Sequence, residues 1–269
     1  MKITKAILPV AGKGTRVMPL TLHQPKGMIA LADKPMVHYV IDELVDAGID
    51  TIILITNPCQ DVFKKYIEYL KPDHAWGHLD FKFAYQKHPR GNGDAVYTAR
   101  KFIEADEPFV VAFCDDIFEH KQSPLPEMLS VFKTSAQPTL LLQKVPREIA
   151  SRYGVIRPSS KLTGRTIKIA DIVEKPETAK IPSNLTVVGR YVLPYKIFGY
   201  LKYLYPQHQK EIGLTDALKL YLADHHELAG VKLTGQRFDC GSIEGMLQAQ
   251  VYFSTLHSLF KIQELRSKI

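Results

Sequence analysis

Short β-rich runs alternate with segments of helical periodicity from the first residues, and this alternation constrains the fold more than any other feature. Each run is short, and most are rich in branched or aromatic residues, as buried strands are. Alternation of this kind predicts βαβ units around a mainly parallel sheet. The predicted strands are Ile3–Val10, Thr51–Thr56, Phe81–Gln86 and Phe109–Cys114, and the predicted helices are Met36–Ala47, Asp61–Leu70 and Gly93–Glu104.

The pattern becomes richer in strands beyond Pro138. Because no low-complexity linker or internal repeat interrupts the chain, we expect residues 1–269 to form one domain. Its expected fold class is α/β, with a Rossmann-like three-layer α/β/α arrangement around a mainly parallel mixed sheet. The later predicted strands are Thr139–Val145, Gly154–Arg157, Ile167–Glu174 and Leu185–Leu193, and the later helices are Thr215–Ala223 and Ile243 to about Leu265.

Composition narrows the compartment and the partners. Three widely spaced cysteines indicate reduced thiols, as in a cytoplasmic protein. No apolar stretch approaches the roughly 20 residues that a membrane span needs, so no membrane association is expected. The net charge of +7 is spread along the chain without a clustered patch, which argues against nucleic acid as a partner. Small polyanions such as nucleotides remain compatible with this charge.

Two stretches that follow predicted strands carry the chemistry. Parallel sheets bind ligands beyond the carboxyl ends of their strands. Gly12-Lys13-Gly14-Thr15-Arg16 follows the first strand, and glycines there allow backbone N–H groups to approach an anion closely. The spacing fits neither a Walker A motif nor a dinucleotide fingerprint. Lys26 follows ten residues after Arg16, and Asp115-Asp116 follows the fourth strand.

The first of these stretches resembles the sugar nucleotidyltransferases. Ala11-Gly12-x-Gly14-Thr15-Arg16-x-x-Pro19-x-Thr21-x-x-x-Pro25-Lys26 is similar to the bacterial UTP–glucose-1-phosphate uridylyltransferases, also called UDP-glucose pyrophosphorylases, and to the glucose-1-phosphate thymidylyltransferases. Further motifs follow in the family's order over essentially the whole chain. They are Asp33-Lys34-Pro35-Met36, Gln86 with Gly91-x-Gly93-x-Ala95, Asp115-Asp116, Tyr153-Gly154-Val155-Ile156, Val173-Glu174-Lys175-Pro176, Pro182-Ser183-Asn184-Leu185, Val188-Gly189-Arg190-Tyr191, Glu211-Ile212-x-Leu214-Thr215-Asp216-Ala217 and Phe238-Asp239-Cys240-Gly241-Ser242.

The resemblance implies a fold of the nucleotide-diphospho-sugar transferase type and a role for each motif. Residues 1–137 would form a nucleotide-binding half, and residues 138–269 a sugar-binding half with a C-terminal helix. The residues implied to bind nucleotide are Ala11, Gly12, Gly14 and Thr15 around the phosphates, and Gln86 and Gly91 at the base. The implied catalytic residues are Arg16, Lys26 and Lys175, the implied sugar-phosphate ligands are Gly154, Glu174, Lys175 and Gly189, and the implied metal ligands are Asp115 and Asp239.

The implied reaction converts UTP and glucose 1-phosphate to UDP-glucose and pyrophosphate. A sugar 1-phosphate has a second pKa of about 6, so it attacks the α-phosphorus without a general base. Such transfers depend on positioning and charge neutralisation rather than covalent catalysis. Mg²⁺ is the expected cofactor because it binds carboxylates together with substrate phosphates. Related enzymes form dimers or tetramers, so a homo-oligomer is expected.

The chain departs from the uridylyltransferase pattern at three places on the nucleotide side. Gly27 stands where the family usually has glutamate, which is expected to remove a carboxylate and loosen the local backbone. Asp94 stands where the family usually has histidine. The segment between Leu70 and Phe81 is shorter than in uridylyltransferases and nearer to the thymidylyltransferase length.

These departures leave alternatives open for the substrate. UTP is preferred because three later motifs follow the uridylyl pattern closely. A dTTP-dependent enzyme, another hexose 1-phosphate, and a catalytically inactive sugar-nucleotide sensor remain as competing hypotheses. The motifs that favour UTP are Ser183-Asn184-Leu185, Val188-Gly189-Arg190-Tyr191 and Phe238-Asp239-Cys240-Gly241.

Overall fold

A computed structural model describes residues 2–59, 61–71, 75–119, 123–159, 164–205, 211–224 and 227–267. Its strands are β1 (Lys5–Pro9), β2 (Ala30–Leu31), β3 (Lys34–Pro35), β4 (Thr51–Thr56), β5 (Asp80–Tyr85), β6 (Phe109–Ala112), β7 (Asp116–Phe118), β8 (Thr139–Lys144), β9 (Gly154–Pro158), β10 (Thr166–Glu174), β11 (Leu185–Leu193), β12 (Leu228–Lys232) and β13 (Arg237–Asp239). Its α-helices are α1 (Met36–Asp46), α2 (Val62–Leu70), α3 (Asn92–Thr98), α4 (Leu125–Ser135), α5 (Arg147–Ala150), α6 (Ile197–Leu204), α7 (Leu214–Ala223) and α8 (Ile243–Ser267).

Nine of these strands form one sheet in the order β5-β4-β1-β6-β11-β8-β12-β10-β9. Parallel pairing joins β5, β4, β1 and β6, as the βαβ alternation predicted, and also joins β12 to β8. The remaining neighbours pair antiparallel, including β11 with β6. Strands β5, β4, β1 and β6 therefore form a parallel region on one side of the sheet. The second-half strands extend the sheet across β11 with mostly antiparallel pairing, so the sheet as a whole is mixed and not mainly parallel as predicted.

Side chains alternate between two hydrophobic layers along the central strands. In β1, Ala6 and Leu8 pack in one buried cluster, whereas Ile7 packs in the other. The first layer contains apolar residues of α1, α2, α4 and α8, and the second contains those of α3, α6 and α7. Burying each large aliphatic side chain contributes roughly 1.5–3 kcal/mol. Helices thus cover both faces, and the predicted three-layer α/β fold is confirmed.

Several elements differ from the sequence-based prediction. The α4 and α6 helices and strand β12 were not predicted. The helix predicted over Gly93–Glu104 is α-helical only to Thr98 and continues as a 3₁₀ turn over Ala99–Phe102. Strand β12 contains Ala229 and Gly230, which carry little of the branched signal of a strand. A Cβ on Gly230 would lie 2.3 Å from Leu142 Cδ1, so close packing against β8 selects glycine there. Tertiary packing decides such a strand rather than local propensity.

A short antiparallel ribbon outside the main sheet was also not predicted. It pairs β13 with β7, and its register places Asp239 opposite Asp116. Each of its strands has only three residues, which is too short for a periodic signal. This ribbon is the element that positions the predicted metal ligands.

Among the described residues, no helix combines the length and apolarity required to cross a bilayer.

Asp42 on α1 offers a test of how a partly buried charge stabilises the first layer. Its carboxylate accepts a hydrogen bond from Trp76 Nε1 at 3.0 Å and pairs with Lys34 at 2.9 Å and His38 at 3.3 Å. Burial opposes the charged form, but the His38 and Lys34 interactions outweigh it and lower the pKa of Asp42 to about 2. Because the folded-state pKa is lowered, the stabilisation is present above the ordinary pKa of 3.8 and is lost as the pH falls through 2.

Asp42→Asn should therefore reduce the free energy of unfolding by about 1–2 kcal/mol at pH 7, and by progressively less as the pH falls from 4 to 2. Urea denaturation across this pH range measures the effect. Asp46→Asn, at an exposed position one turn along α1, is the matched control and should change stability by less than about 0.5 kcal/mol. A difference that does not depend on pH would contradict the assignment.

Candidate active site

The glycine turn after β1 is open to solvent. Gly14 has φ +62°, and a Cβ there would lie 2.7 Å from Thr21 Cγ2, so the position requires glycine. Its carbonyl accepts hydrogen bonds from Thr21 Oγ1 and Val17 N–H, both at 3.0 Å. Gly12 has no atom within 4 Å of its Cβ position, and it lines a cavity of about 320 Å³. The predicted phosphate-binding turn therefore leaves space for an anion.

Lys26 forms an ion pair with Asp115, which joins this turn to the end of β6. Burial alone would lower the pKa of Lys26, but the Asp115 carboxylate outweighs it and raises that pKa. Burial alone would raise the pKa of Asp115, and the Lys26 ammonium lowers it. Both groups are therefore charged at neutral pH, and a concentrated pair of opposite charges lies beside the glycine turn.

Three predicted site residues converge on Gly241. A Cβ at this position would lie 2.7 Å from Asp239 Oδ1, 2.9 Å from Arg16 Nη2 and 3.0 Å from Asp115 Oδ2. The backbone of Cys240 donates to the Asp115 carbonyl at 2.8 Å, next to the β7–β13 ribbon. The ribbon thus brings together two carboxylates from distant parts of the sequence and places the Arg16 guanidinium beside them.

Arg190 fixes the backbone that carries Asp115. Its guanidinium is fully buried, donates to the carbonyls of Phe113 and Asp116 at 2.9 Å, and pairs with Glu43 at 2.7 Å. Multiple donors in a planar fork suit arginine to such a position. Sequence reasoning placed Arg190 in a motif but assigned it no role. The available signal in the sequence was an arginine within the mostly apolar run Leu185–Leu193.

Asp116 has a structural part in the same network. Its carboxylate accepts a hydrogen bond from Gly189 N–H at 2.6 Å and forms an ion pair with Arg237. Arg237 also approaches Asp239 at 3.6 Å. Because a Cβ on Gly189 would lie 2.2 Å from Asp116 Oδ2, glycine is required for this contact. The backbone N–H of Gly189, predicted to lie in the sugar pocket, is therefore already bonded to Asp116.

The predicted sugar-side residues are joined to this centre through Tyr153. Its hydroxyl donates to Asp239 Oδ2 at 2.7 Å, and its carbonyl accepts from Lys175 N–H at 3.1 Å. Lys175 has φ +44°, an uncommon conformation that is often found at ligand sites. Its ammonium is exposed and lies 3.7 Å from Glu174. Lys175 is thus held by its backbone with its charge directed to solvent.

Glu174 and Gly154 face each other across the β9–β10 pair. A Cβ on Gly154 would lie 3.1 Å from Glu174 Oε2, so the glycine leaves room for the carboxylate. The same oxygen accepts a hydrogen bond from Thr215 Oγ1 at 3.0 Å, which orients it. Thr215 belongs to a recognised motif but was not predicted as a site residue.

The predicted base-binding residues form a separate buried cluster. Gln86, at the end of β5, donates from Nε2 to the Gly91 carbonyl at 3.1 Å and to Asp94 Oδ2 at 2.6 Å. Gly91 has φ +102°, and a Cβ there would lie 2.6 Å from the Ile212 carbonyl. The Glu211–Thr215 motif therefore contacts both the base loop and Glu174.

Cys114 and Cys240 each adjoin a predicted metal ligand in the sequence. Both are buried and pack in the hydrophobic core. Burial raises the pKa of the Cys114 thiol to about 12. No group of three or more metal-binding side chains occurs within the part of the chain that the structure describes. A metal site beside Gly241 would use the Asp115 and Asp239 carboxylates together with oxygens from a ligand or water.

Gly27 lies in a packed part of the structure. It is buried in a 3₁₀ turn over Lys26–Met28, and its Cβ position lies 3.2 Å from Phe63 Cε1 and 3.4 Å from Cys114 Sγ. Neighbouring side chains therefore occupy the direction in which a longer side chain would extend.

Gly27→Glu, which introduces the usual family residue, should lower the free energy of unfolding by about 1–3 kcal/mol because it overpacks this site. Thermal or urea denaturation measures the change. Gly199→Glu on α6 is a matched control, since no atom lies within 4 Å of that Cβ position. Equal stability of the two variants would contradict the packing argument.

Comparison with known proteins shows the family to which the chain belongs. The sequence matches the family described as nucleotidyl transferase over residues 5–255. The UTP–glucose-1-phosphate uridylyltransferase of Bacillus subtilis (strain 168) is 34% identical over 285 residues, which cover 100% of this chain and 95% of that protein. A crystal structure of UDP-glucose pyrophosphorylase complexed with UDP-glucose has a TM-score of 0.86 and 32% identity, covering 94% of this chain and 99% of the other.

A further solved structure is similar over nearly its whole length. It is a UTP-bound UGPase from Acinetobacter baumannii, with a TM-score of 0.81 and 32% identity, covering 98% of this chain and 99% of the other. Likeness in sequence and in fold thus extends across both halves of the sheet. The chain belongs to the nucleotidyl transferase family.

Proposed function

We propose that this protein is a UTP–glucose-1-phosphate uridylyltransferase, which converts UTP and glucose 1-phosphate to UDP-glucose and pyrophosphate. The convergence of Arg16, Asp115 and Asp239 on Gly241, beside Lys26, carries the proposal. This arrangement supplies cationic groups for phosphates and carboxylates for a metal ion. The proposed substrates are those after which the similar proteins are named.

Residues 1–137 form the nucleotide-binding half in this proposal. The backbone of Ala11, Gly12, Gly14 and Thr15 surrounds the β- and γ-phosphates, and Arg16 binds them through its fork of donors. Lys26 neutralises charge at the α-phosphate. Gln86 and the Gly91 loop bind the base edge.

Residues 138–269 form the sugar-binding half. Lys175 binds the phosphate of glucose 1-phosphate, and its exposed ammonium supports this role. Glu174 accepts hydrogen bonds from sugar hydroxyls, and its hydrogen bond with Thr215 supports a fixed orientation. Backbone groups of Gly154 and Gly189 line the pocket, next to the Glu174 and Asp116 carboxylates that lie in their Cβ directions.

The proposed cofactor is Mg²⁺, held by Asp115 and Asp239. Enzymes of this family generally use a divalent metal ion. The donor set fits, because Asp239 Oδ1 and Asp115 Oδ2 both lie beside Gly241, and Mg²⁺ usually binds one or two carboxylates together with phosphates and water. When bound, the ion neutralises negative charge on the phosphates.

The chain's own groups account for the remaining chemistry through positioning. The phosphate monoester is largely ionised at neutral pH, so its oxygen attacks the α-phosphorus directly. Arg16 and Lys26 stabilise charge that accumulates on the transferring and leaving phosphates. Lys175 holds the attacking phosphate in line with the leaving pyrophosphate, which is the main requirement of this class of transfer.

The working assembly is proposed to be a homo-oligomer in the cytoplasm. Leu247 and Val251 on α8 are 61% and 69% exposed and lie one turn apart, so they offer an apolar contact. Light scattering coupled to size exclusion measures the assembly.

A substrate matrix tests the proposed function. Purified protein is incubated with Mg²⁺ and each of four triphosphates, with several hexose 1-phosphates, and pyrophosphate release is measured. UTP with glucose 1-phosphate should give the highest kcat/KM. A higher value with dTTP would make the protein a thymidylyltransferase. Binding of UDP-glucose without Mg²⁺-dependent pyrophosphate exchange would instead indicate an inactive sensor.

A further inference from the structure

Asp94 is a buried carboxylate beside the residue proposed to bind the base. It is 7% exposed and lies in the first turn of α3. Its two oxygens accept hydrogen bonds from different side chains, Oδ2 from Gln86 Nε2 at 2.6 Å and Oδ1 from the Tyr205 hydroxyl. Within the described residues no lysine, arginine or histidine forms an ion pair with it.

The Gln86 amide is held in one orientation by two acceptors. Its nitrogen donates to Asp94 Oδ2 and to the Gly91 carbonyl, which uses both N–H groups. An ionised carboxylate and a backbone carbonyl only accept hydrogen bonds. Rotating the amide by half a turn would break both bonds and place Oε1 against two acceptor oxygens. Gln86 therefore presents its nitrogen to the protein.

The oxygen of the same amide is left for another partner. No residue in the described part of the chain donates a hydrogen bond to Gln86 Oε1. Among the described residues, the only fully buried side-chain oxygen or nitrogen without a partner is Thr56 Oγ1. Gln86 Oε1 is thus a fixed acceptor whose direction is set by Asp94 and Gly91. Uracil presents an N3–H donor on its pairing edge, whereas cytosine presents an N3 acceptor there.

We propose that Asp94 is a positioning residue that orients Gln86 to accept from N3–H, and so selects uracil-type bases over cytosine. This inference rests on the proposed function, because it takes Gln86 as the residue that binds the base. The carboxylate acts through Gln86 and need not touch the nucleotide. Thymine has the same N3–H, so Asp94 selects between base edges and not between UTP and dTTP.

Asp94→Asn tests this role with little change in volume. Asparagine can donate to Gln86 Oε1 from its own nitrogen, so the Gln86 amide is free to rotate. The ratio of kcat/KM for UTP to that for CTP should fall by about 10- to 100-fold, while KM for glucose 1-phosphate stays unchanged. A general loss of structure would change KM for glucose 1-phosphate as well as the ratio for UTP and CTP.

Three further variants complete the design. Asp94→Ser replaces Asp94→Asn if the latter does not fold. It also removes the carboxylate and should lower the ratio of kcat/KM for UTP to that for CTP. Tyr205→Phe keeps the carboxylate and should change the ratio by less than about threefold. Asp80→Asn, at an exposed position at the start of β5, is the matched control and should leave the ratio unchanged.

Binding measurements separate this inference from the proposed function. Equilibrium Kd values for UTP and CTP with wild-type protein give the selectivity without turnover. Wild-type protein that binds both equally overturns the inference and needs no variant. A folded Asp94→Asn that keeps the wild-type ratio also overturns it while leaving the uridylyltransferase activity intact. Selective UTP binding without pyrophosphate release would overturn only the proposed function.

Discussion

Replacing Asp115 with alanine is expected to lower kcat by about 10³-fold, the largest effect among the site variants. The substitution removes one of the two carboxylates proposed to hold Mg²⁺. It also leaves the largely buried Lys26 ammonium without its partner, and breaking such a pair costs several kcal/mol of stability. Pyrophosphate release under saturating UTP and glucose 1-phosphate measures the rate.

Asp115→Asn separates the charge from the volume of this side chain. It keeps the shape beside Gly241 and an oxygen that can accept a hydrogen bond from Lys26, so it should destabilise the fold less than alanine does, and kcat should still fall by at least about 100-fold. The Mg²⁺ concentration for half-maximal activity should rise because a carboxylate ligand is lost. Asp106→Asn in an exposed turn is the control and should remain within about twofold of wild type. Near-normal turnover in either Asp115 variant would contradict the assignment.

Replacing Lys175 with alanine is expected to lower kcat/KM for glucose 1-phosphate by about 100-fold or more. Lys175 contributes a cation to the sugar phosphate in the proposed complex, and its side chain is 66% exposed. Because this side chain makes few packing contacts, its removal should change the free energy of unfolding by less than about 1 kcal/mol. UTP binding should be unaffected, since Lys175 lies in the half of the chain that is proposed to bind the sugar. Steady-state kinetics with each substrate varied and UTP titration by calorimetry measure this difference.

Two comparisons sharpen the Lys175 test. Lys175→Arg keeps the charge and should recover part of the activity, although a guanidinium and an ammonium differ in geometry. Lys180→Ala removes another exposed lysine a few residues further along and should behave as wild type. Equal losses for Lys175→Ala and Lys180→Ala would indicate a general effect of surface charge. An unchanged kcat/KM in Lys175→Ala would remove Lys175 from the proposed site.

Much of the fold was predictable because its signals are local. Apolar residues such as Val37, Val40 and Leu44 recur at helical spacing, and α1 forms where they predict it. The strands β4 and β11 match their predicted bounds, since runs of branched residues are decisive when both sheet faces are buried. Family membership was also predictable and is confirmed, because the order of the motifs is itself specific.

Elements with weak local signals were missed for a physical reason. Strand β12 and the β7–β13 ribbon are short, and their hydrogen bonds join residues far apart in sequence. Their stability comes from partners that only the folded chain supplies. The same holds for Gly27, whose surroundings include Phe63 and Cys114 from other parts of the sequence. The close packing around Gly27 was therefore not predictable from the local sequence.

The sequence by itself determined the glycine turn, the order of the motifs and the candidate charges at Lys26, Asp115, Lys175 and Asp239. Only the tertiary structure decided which of these charges meet. It pairs Lys26 with Asp115, brings Asp239 and Arg16 to the same glycine, and places Asp94 against Gln86. The physical reason is that periodicity and turn chemistry act over a few residues, whereas ion pairs and buried hydrogen bonds depend on strand pairing across the whole sheet.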